Sequence, residues 1–447
     1  MTPISRQGRF RTDWWRALSQ AGRVVAVGVV GGTLLASVQA RQPGQAGTGQ
    51  PATGAITLLP DTSDRMIPFA DQLDPNYSDH LVEFVANHFA GTQKMLKRDD
   101  DRFKAENPHW VLLHYRLGVS SGPAQYIHND LWSSDWSQVN PHEDWFLHNE
   151  AGKRHYEKGS NWYIHDLDNP GFREYWTSSV IADMRATSAQ GVFADSFEAG
   201  VSGYGVTPPD ARFAGSAPAD PQAWKSGRTW MAQKLEFIDY VRQRFAATPE
   251  KFMFVANLGG LTTTWWWPHY ANVDGAMIEG FALNEPFADW IMGVNRAMEL
   301  TRAGKFVIAQ AYPKSVEDRL FLIGSYLLIK GQRTFVNAGG AGVYYYPEYA
   351  LSLGPASAPL PADVSAYLWN RIYKREFRDA IVLVNPRAES VTVTLPKPFS
   401  LVTPVGGGQT GDAQLDANLN YTGGSLKYSD VTTVTLPSRS AALLKRK

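Results

Sequence analysis

From about residue 60 onward, apolar residues fall in short, near-continuous runs with longer amphipathic stretches between them. The runs are FVANHFA (84–90), WVLLHYR (110–116), WYIHDL (162–167), GVFADSF (191–197), KFMFVAN (251–257), GAMIEGF (275–281), KFVIAQAY (305–312) and the pair RTFVNAG and GVYYYPE within 333–348. Such runs, rich in β-branched and aromatic side chains, are the signature of strands buried on both faces. Helix signals lie between them. Asn169 ahead of Pro170 makes an N-cap with proline at the first helical position. Residues 224–245 are amphipathic, Asn284-Glu285-Pro286 opens another helix, and Ser315 with Asp318 forms a capping-box pattern before RLFLIGSYLLIK. Eight strands separated by crossovers predict an α/β fold, a (β/α)₈ TIM barrel, over residues 59–360. No Gly-rich phosphate fingerprint follows the early strands, which argues against nucleotide binding.

Past the Pro/Ala-rich stretch GPASAPLPAD (354–363) the pattern changes. RDAIVLVNP, SVTVTLPKP, LVTPVGGG and VTTVTLP alternate in strand fashion between Gly/Pro turns, and SRSAALLK follows them. They predict a small antiparallel β-sandwich domain over 361–447, expected to pack on the barrel as a cap.

At the other end, Arg6, Arg9, Arg11, Arg16 and Arg23 precede an apolar stretch from Val24 to Val38 and a small residue, Ala40. A basic segment, a short apolar segment and a small-residue cut site predict a signal peptide at 1–40. A flexible Gly/Pro/Gln leader follows at 41–58. The expectation is export, to a periplasmic or extracellular location. No other segment approaches the apolar length of a membrane span, so none is expected in the mature chain.

Composition narrows the functional classes. With 43 basic and 43 acidic residues the formal net charge is zero, so a polyanion such as nucleic acid is not an expected partner. The absence of cysteine excludes disulfides, thiolate nucleophiles and cysteine–zinc sites. Aromatics reach 12%, with 15 Trp, which suits both ordinary cores and the apolar faces of sugar rings. Oligomeric state leaves no trace in these features.

Barrel enzymes work at the C-terminal ends of their strands. Asp195 and Glu279 each interrupt an apolar run at its end, and by this count they close the fourth and sixth strands. Alternate strands contribute to one layer, so the two acids can converge across the mouth. Two convergent carboxylates are the minimum for glycosidic cleavage, one protonating the leaving oxygen and the other attacking the anomeric carbon or activating water. The alternative for each is an ion pair with Arg116 or a helix cap. Candidate carbohydrate-binding residues are His114, Arg116, Asp166, Glu198, Asn257 and Gln310, with Trp265, Trp266 and Tyr345 as sugar platforms. His88, His114 and His165 raise a rival metal-dependent hydrolase or deacetylase reading, but neither His-x-His on the first strand nor His-x-x-x-His is present. No metal or other cofactor is expected. A glycan-binding barrel without catalysis is the other alternative.

The segments NHFAGTQK, HYRLG, DLDNPGFREYW, GVFADSFE, IEGF and RDAIVLVNP, in this order, resemble the hypothetical glycosyl hydrolase families of TIM-barrel type over roughly residues 60–385. The β domain resembles the module that follows many α-amylase-like and α-galactosidase-like barrels. This resemblance implies a glycosidase-like site with Asp195 and Glu279 at the matching positions. In the α-galactosidase-like clan both acids are Asp, whereas here the second is Glu279.

Overall fold

The computed structural model describes residues 59–447 apart from 75, 96, 124–134, 149–151, 158–161, 198–205, 208–229, 260–271 and 284. The expected signal peptide and leader lie outside the described residues. Eight parallel strands form the barrel: β1 (Ala70–Gln72), β2 (Gly91–Lys94), β3 (Val111–Leu117), β4 (Gly191–Asp195), β5 (Met253–Asn257), β6 (Gly275–Glu279), β7 (Phe306–Gln310) and β8 (Thr334–Asn337). They pair in chain order, and the segment before β1 closes the ring: Phe69 N–H donates to the Val336 carbonyl at 2.9 Å. The longer helices are α1 (Asp79–His88), α2 (Lys97–Glu106), α3 (Pro170–Thr187), α4 (Trp230–Ala246), α5 (Phe287–Arg302) and α6 (Val316–Ile329). None of the described helices is long and apolar enough to cross a membrane.

Two of the expected barrel strands are not barrel strands. FVANHFA lies mostly in α1, where Leu81, Val82, Phe84, Val85 and Ala86 are buried on one helical arc. The run reads as continuous because a helix seated on a barrel buries a wide stripe. WYIHDL supplies Tyr163–Ile164 to a small antiparallel sheet with Ser120–Ser121, Tyr156–Glu157 and Val206–Thr207, built from the excursions after β3 and β4. The strands that replace them, β1 and β2, read ADQ and GTQK, too short and polar to stand out. Two omissions and two additions cancel, so Asp195 and Glu279 still close the fourth and sixth strands. Of the eighth pair, only RTFVNAG enters the barrel; Tyr344–Tyr345 pairs antiparallel with Gly408–Gln409.

Strand parity sorts the core. Phe69, Leu113, Phe193, Val255, Ile308 and Phe335 point inward and fill the barrel interior. The alternate set, including Leu112, Val192, Phe254, Ala276 and Val307, packs against the helices. Each fully buried large side chain contributes roughly 1.5–3 kcal/mol. Local signals act as expected at the helix ends. The Asn169 side chain accepts from Gly171 and Phe172 N–H ahead of α3, and Ser315 accepts from Asp318 N–H ahead of α6.

The C-terminal sheet has six strands, β9 (Leu368–Trp369), β10 (Ile372–Glu376), β11 (Ala380–Asn385), β12 (Val391–Gly406), β13 (Gly424–Leu436) and β14 (Ser440–Lys445), in the order β9-β10-β11-β14-β12-β13. A register shift between Thr394 and Phe399 lets the first part of β12 fold back over its own sheet. Val391, Val393 and Leu395 thereby share a core with Ile381 and Leu383. The opposite face caps the barrel by sitting on α6. A Cβ on Gly324 would lie 2.4 Å from the Ala441 Cβ, so glycine is what lets helix and sheet approach.

Candidate active site

Inward parity at the strand ends assembles the site. Tyr115, Asp195, Asn257, Glu279, Gln310 and Asn337 all continue the inward-facing series of their strands at the C-terminal end of the barrel. Behind Asp195 the chain turns sharply, with Ser196 held at φ +51 and its N–H donating to Asp195 Oδ1 at 2.8 Å. A non-glycine residue in the left-handed region is strain of the kind found at functional sites. Gly280, at φ +73, makes the corresponding turn after Glu279.

One amide joins the two acids. Asn257 Nδ2 donates to Asp195 Oδ1 and to Glu279 Oε2, both at 2.9 Å. Tyr115 Oη donates to Asp195 Oδ2 at 2.7 Å, and Tyr312 Oη donates to Glu279 Oε1 at 2.7 Å. Gln310, 1% exposed, donates to Tyr312 Oη, and its carbonyl accepts from Asn337 Nδ2 and Gln93 Nε2. Asp71 and Lys94 complete the ring from β1 and β2, with Lys94 Nζ 3.1 Å from Asp71 Oδ1.

The electrostatics follow from this crowding. Glu279 is open to solvent from the mouth while the barrel wall surrounds its other sides. That desolvation, and then the charge of Asp195, raises its pKa above the ordinary carboxyl value, against the lowering hydrogen bonds of Asn257 and Tyr312. For Lys94, burial works against the ammonium, but Asp71, Asp195 and Glu279 outweigh it and its pKa is raised. Burial and then Asp195 raise the Tyr115 phenol, and burial and then Glu279 raise that of Tyr312, so both serve as donors.

The structure brings together Asp195, Asn257, Glu279 and Gln310 from the sequence candidates. His114 and Arg116 lie on the outer face of β3: His114 Nε2 is 3.5 Å from Asp183 Oδ2 on α3, and Arg116 bonds Asp183, Ser179 and Asp135. Adjacent to Tyr115 in sequence, Arg116 has the opposite parity, and this is why it misses the mouth. Asp166 is buried in the excursion and accepts from Asp168 N–H at 3.1 Å. Tyr345 packs edge-on to Phe84 and Tyr421, away from the strand ends. Glu198, Trp265 and Trp266 lie outside the described residues. The three histidines of the metal reading have separate partners: His88 the Phe84 carbonyl, His114 Asp183, and His165 the Trp145 carbonyl. Burial lowers the His165 pKa to about 3. Among the described residues no three His, Asp or Glu form a metal-binding group. Asp71, Gln93 and Lys94 are the members that the sequence reading missed; their one signal was the polar run GTQK after an apolar helix.

Solved structures with a similar chain path include several sugar-processing enzymes. They include a maltogenic α-amylase from Thermotoga neapolitana (12% identity, TM-score 0.42, 85% of this chain and 98% of that one). A Geobacillus stearothermophilus α-galactosidase is 12% identical at TM-score 0.41, covering 88% of this chain and 56% of its own. A Paenibacillus cycloisomaltooligosaccharide glucanotransferase is 10% identical at TM-score 0.39, covering 86% and 55%. The chain thus spans just over half the length of the last two, and the likeness carries no chemistry across. No curated protein matches. Residues 104–376, more than half of the sequence and most of the barrel, match the hypothetical glycosyl hydrolase family 15, and the chain belongs to that family.

Proposed function

We propose that this protein is an exported glycoside hydrolase that cleaves a poly- or oligosaccharide with Glu279 as general acid and Asp195 as nucleophile. The observation that carries the reading is the single Asn257 amide shared by the two carboxylates. It puts one oxygen of each acid 2.9 Å from a single amide nitrogen, so the two carboxyls face each other at the close approach that a retaining pair needs. The environments of the acids divide the roles. Crowding and the neighbouring charge favour the protonated form of Glu279, which suits donation to a leaving oxygen. Three donors, from Tyr115, Asn257 and Ser196, converge on Asp195, which suits a group that acts as an anion. In the first step the Asp195 carboxylate bonds the anomeric carbon as the glycosidic bond breaks, and Glu279 gives its proton to the leaving oxygen. In the second, Glu279 takes a proton from water, which displaces Asp195.

Export rests on the basic-then-apolar N-terminal pattern, and sequencing the mature N-terminus checks it, with a start at Arg41 expected. For catalysis, a product-resolved screen on polysaccharides with Asp195→Asn and Glu279→Gln is decisive, followed by NMR of the first-formed anomer. Full activity in either variant removes its assigned role, and an inverted product removes the nucleophile assignment. Saturable glycan binding without product supports a binding barrel instead.

A further inference from the structure

Across the mouth from the acid pair, β1 and β2 carry a polar pair that bond cleavage does not use. Lys94 Nζ lies 3.1 Å from Asp71 Oδ1, and Gln93 Nε2 donates to that same oxygen at 2.7 Å. Both bonds fall on Oδ1, and Asp71 Oδ2 takes no donor among the described residues. Asp274 in the barrel wall, by contrast, has both of its oxygens engaged, by Arg242 and by Phe254. Lys94 also lies 5.0 Å from the centre of the Tyr115 ring, whose hydroxyl bonds Asp195. The pair therefore adjoins the proposed reaction centre.

An acceptor oxygen beside an ammonium matches two adjacent hydroxyls, one donating to the carboxylate and the other accepting from the lysine. A sugar carboxylate would instead meet three acids, Asp71, Asp195 and Glu279, against one ammonium among the described residues of the mouth. We propose that Asp71 and Lys94 form the specificity subsite, gripping adjacent hydroxyls of a neutral hexosyl ring and rejecting hexuronic acids. This rests on the glycosidase reading and extends it to a substrate class.

Two measurements test it on the full chain. The first is calorimetric binding of free glucose, galactose and mannose and of the corresponding hexuronates to the parent, Asp71→Asn, Lys94→Met and Glu279→Gln proteins. The second is turnover of 4-nitrophenyl hexosides and hexuronides. At least one neutral hexose binds the parent and Glu279→Gln, and the hexuronates do not. Asp71→Asn, which preserves shape, weakens that hexose by about 10–100-fold. It also raises the hexuronate-to-hexose ratio, because one of the three repelling charges is gone; a merely structural role would lower both sugars alike. An unchanged ratio, a parent that prefers hexuronates, or a parent that binds no hexose overturns the subsite. Hexoside turnover insensitive to Asp71→Asn leaves the glycosidase standing and removes the subsite. Hexose binding that depends on Asp71, with no hexoside cleaved, does the reverse.

Discussion

The barrel mouth and the junction between barrel and β domain both bury charge, and they balance it differently. At the junction one acid meets one arginine, and a second arginine is held by main-chain carbonyls. Arg319 Nε donates to Glu348 Oε1 at 2.7 Å with both side chains nearly fully buried, and Arg319 also reaches the Gly406 carbonyl at 3.1 Å. Arg375 donates to the Leu327 and Leu328 carbonyls at the end of α6, where a cation complements the helix dipole. At the mouth, three carboxylates face one lysine among the described residues, and neutral amides and phenols hold the rest. An ion pair and a carbonyl-held arginine join the two domains; the excess of acid at the mouth helps raise the Glu279 pKa. The difference teaches that an acid marks the candidate site here by what surrounds it and not by its burial.

Variants can break that contrast. The largest effect belongs to Glu279→Gln, expected to lower turnover roughly 10²–10⁴-fold with no loss of melting temperature, since an amide relieves the crowding of acids. Loss of both activity and fold would erase the distinction. Next comes Arg319→Met at the junction, expected to destabilise by about 3–5 kcal/mol in urea titrations by stranding Glu348. Adding Glu348→Gln should recover part of that, and turnover by the folded fraction should stay at the parent level.

A third variant sharpens the mouth itself. The Asn257 hydrogen bond lowers the Glu279 pKa, so Asn257→Ala raises it further. The acid must be protonated to act, so activity is lost as pH rises through that pKa. The alkaline limb of the pH profile should therefore move to higher pH, and a shift the other way would contradict the assignment of Glu279 as acid. A last test is at Lys330, where burial and then Arg375 push the pKa down to about 7. The unfolded chain holds that proton up to a pKa near 10.4. Between about pH 7 and 10 the unfolded state thus binds more protons, and stability rises with pH. Lys330→Met should flatten that rise in chemical denaturation series.

Legibility followed the length of the apolar runs. β4 to β7 bury five residues or nearly so in sequence, and the polar residue that ends each run stands out, which is how Asp195, Asn257, Glu279 and Gln310 were found. Where a strand is short and its inward residues are themselves part of the site, the run vanishes, and Asp71, Gln93 and Lys94 vanish with it. His114 and Arg116 were misplaced for a different reason. The alternation needed to exclude them was present in VLLHYRL, but a strand covered on both faces is apolar at odd and even positions alike.

By itself, then, the sequence determined the barrel class, the C-terminal β domain, the caps at Asn169 and Ser315, and the two acids that end apolar strands. These are local properties, set by periodicity and by the cost of placing charge among apolar neighbours. Tertiary structure alone decided which face of β3 meets the mouth, that Asn257 bridges Asp195 and Glu279, and that Lys94 stands among three acids. Those depend on closure of the barrel, which brings residues more than 100 positions apart, such as Asp71 and Asp195, into one electrostatic field. No local pattern encodes a contact whose partners are chosen by the ring closing.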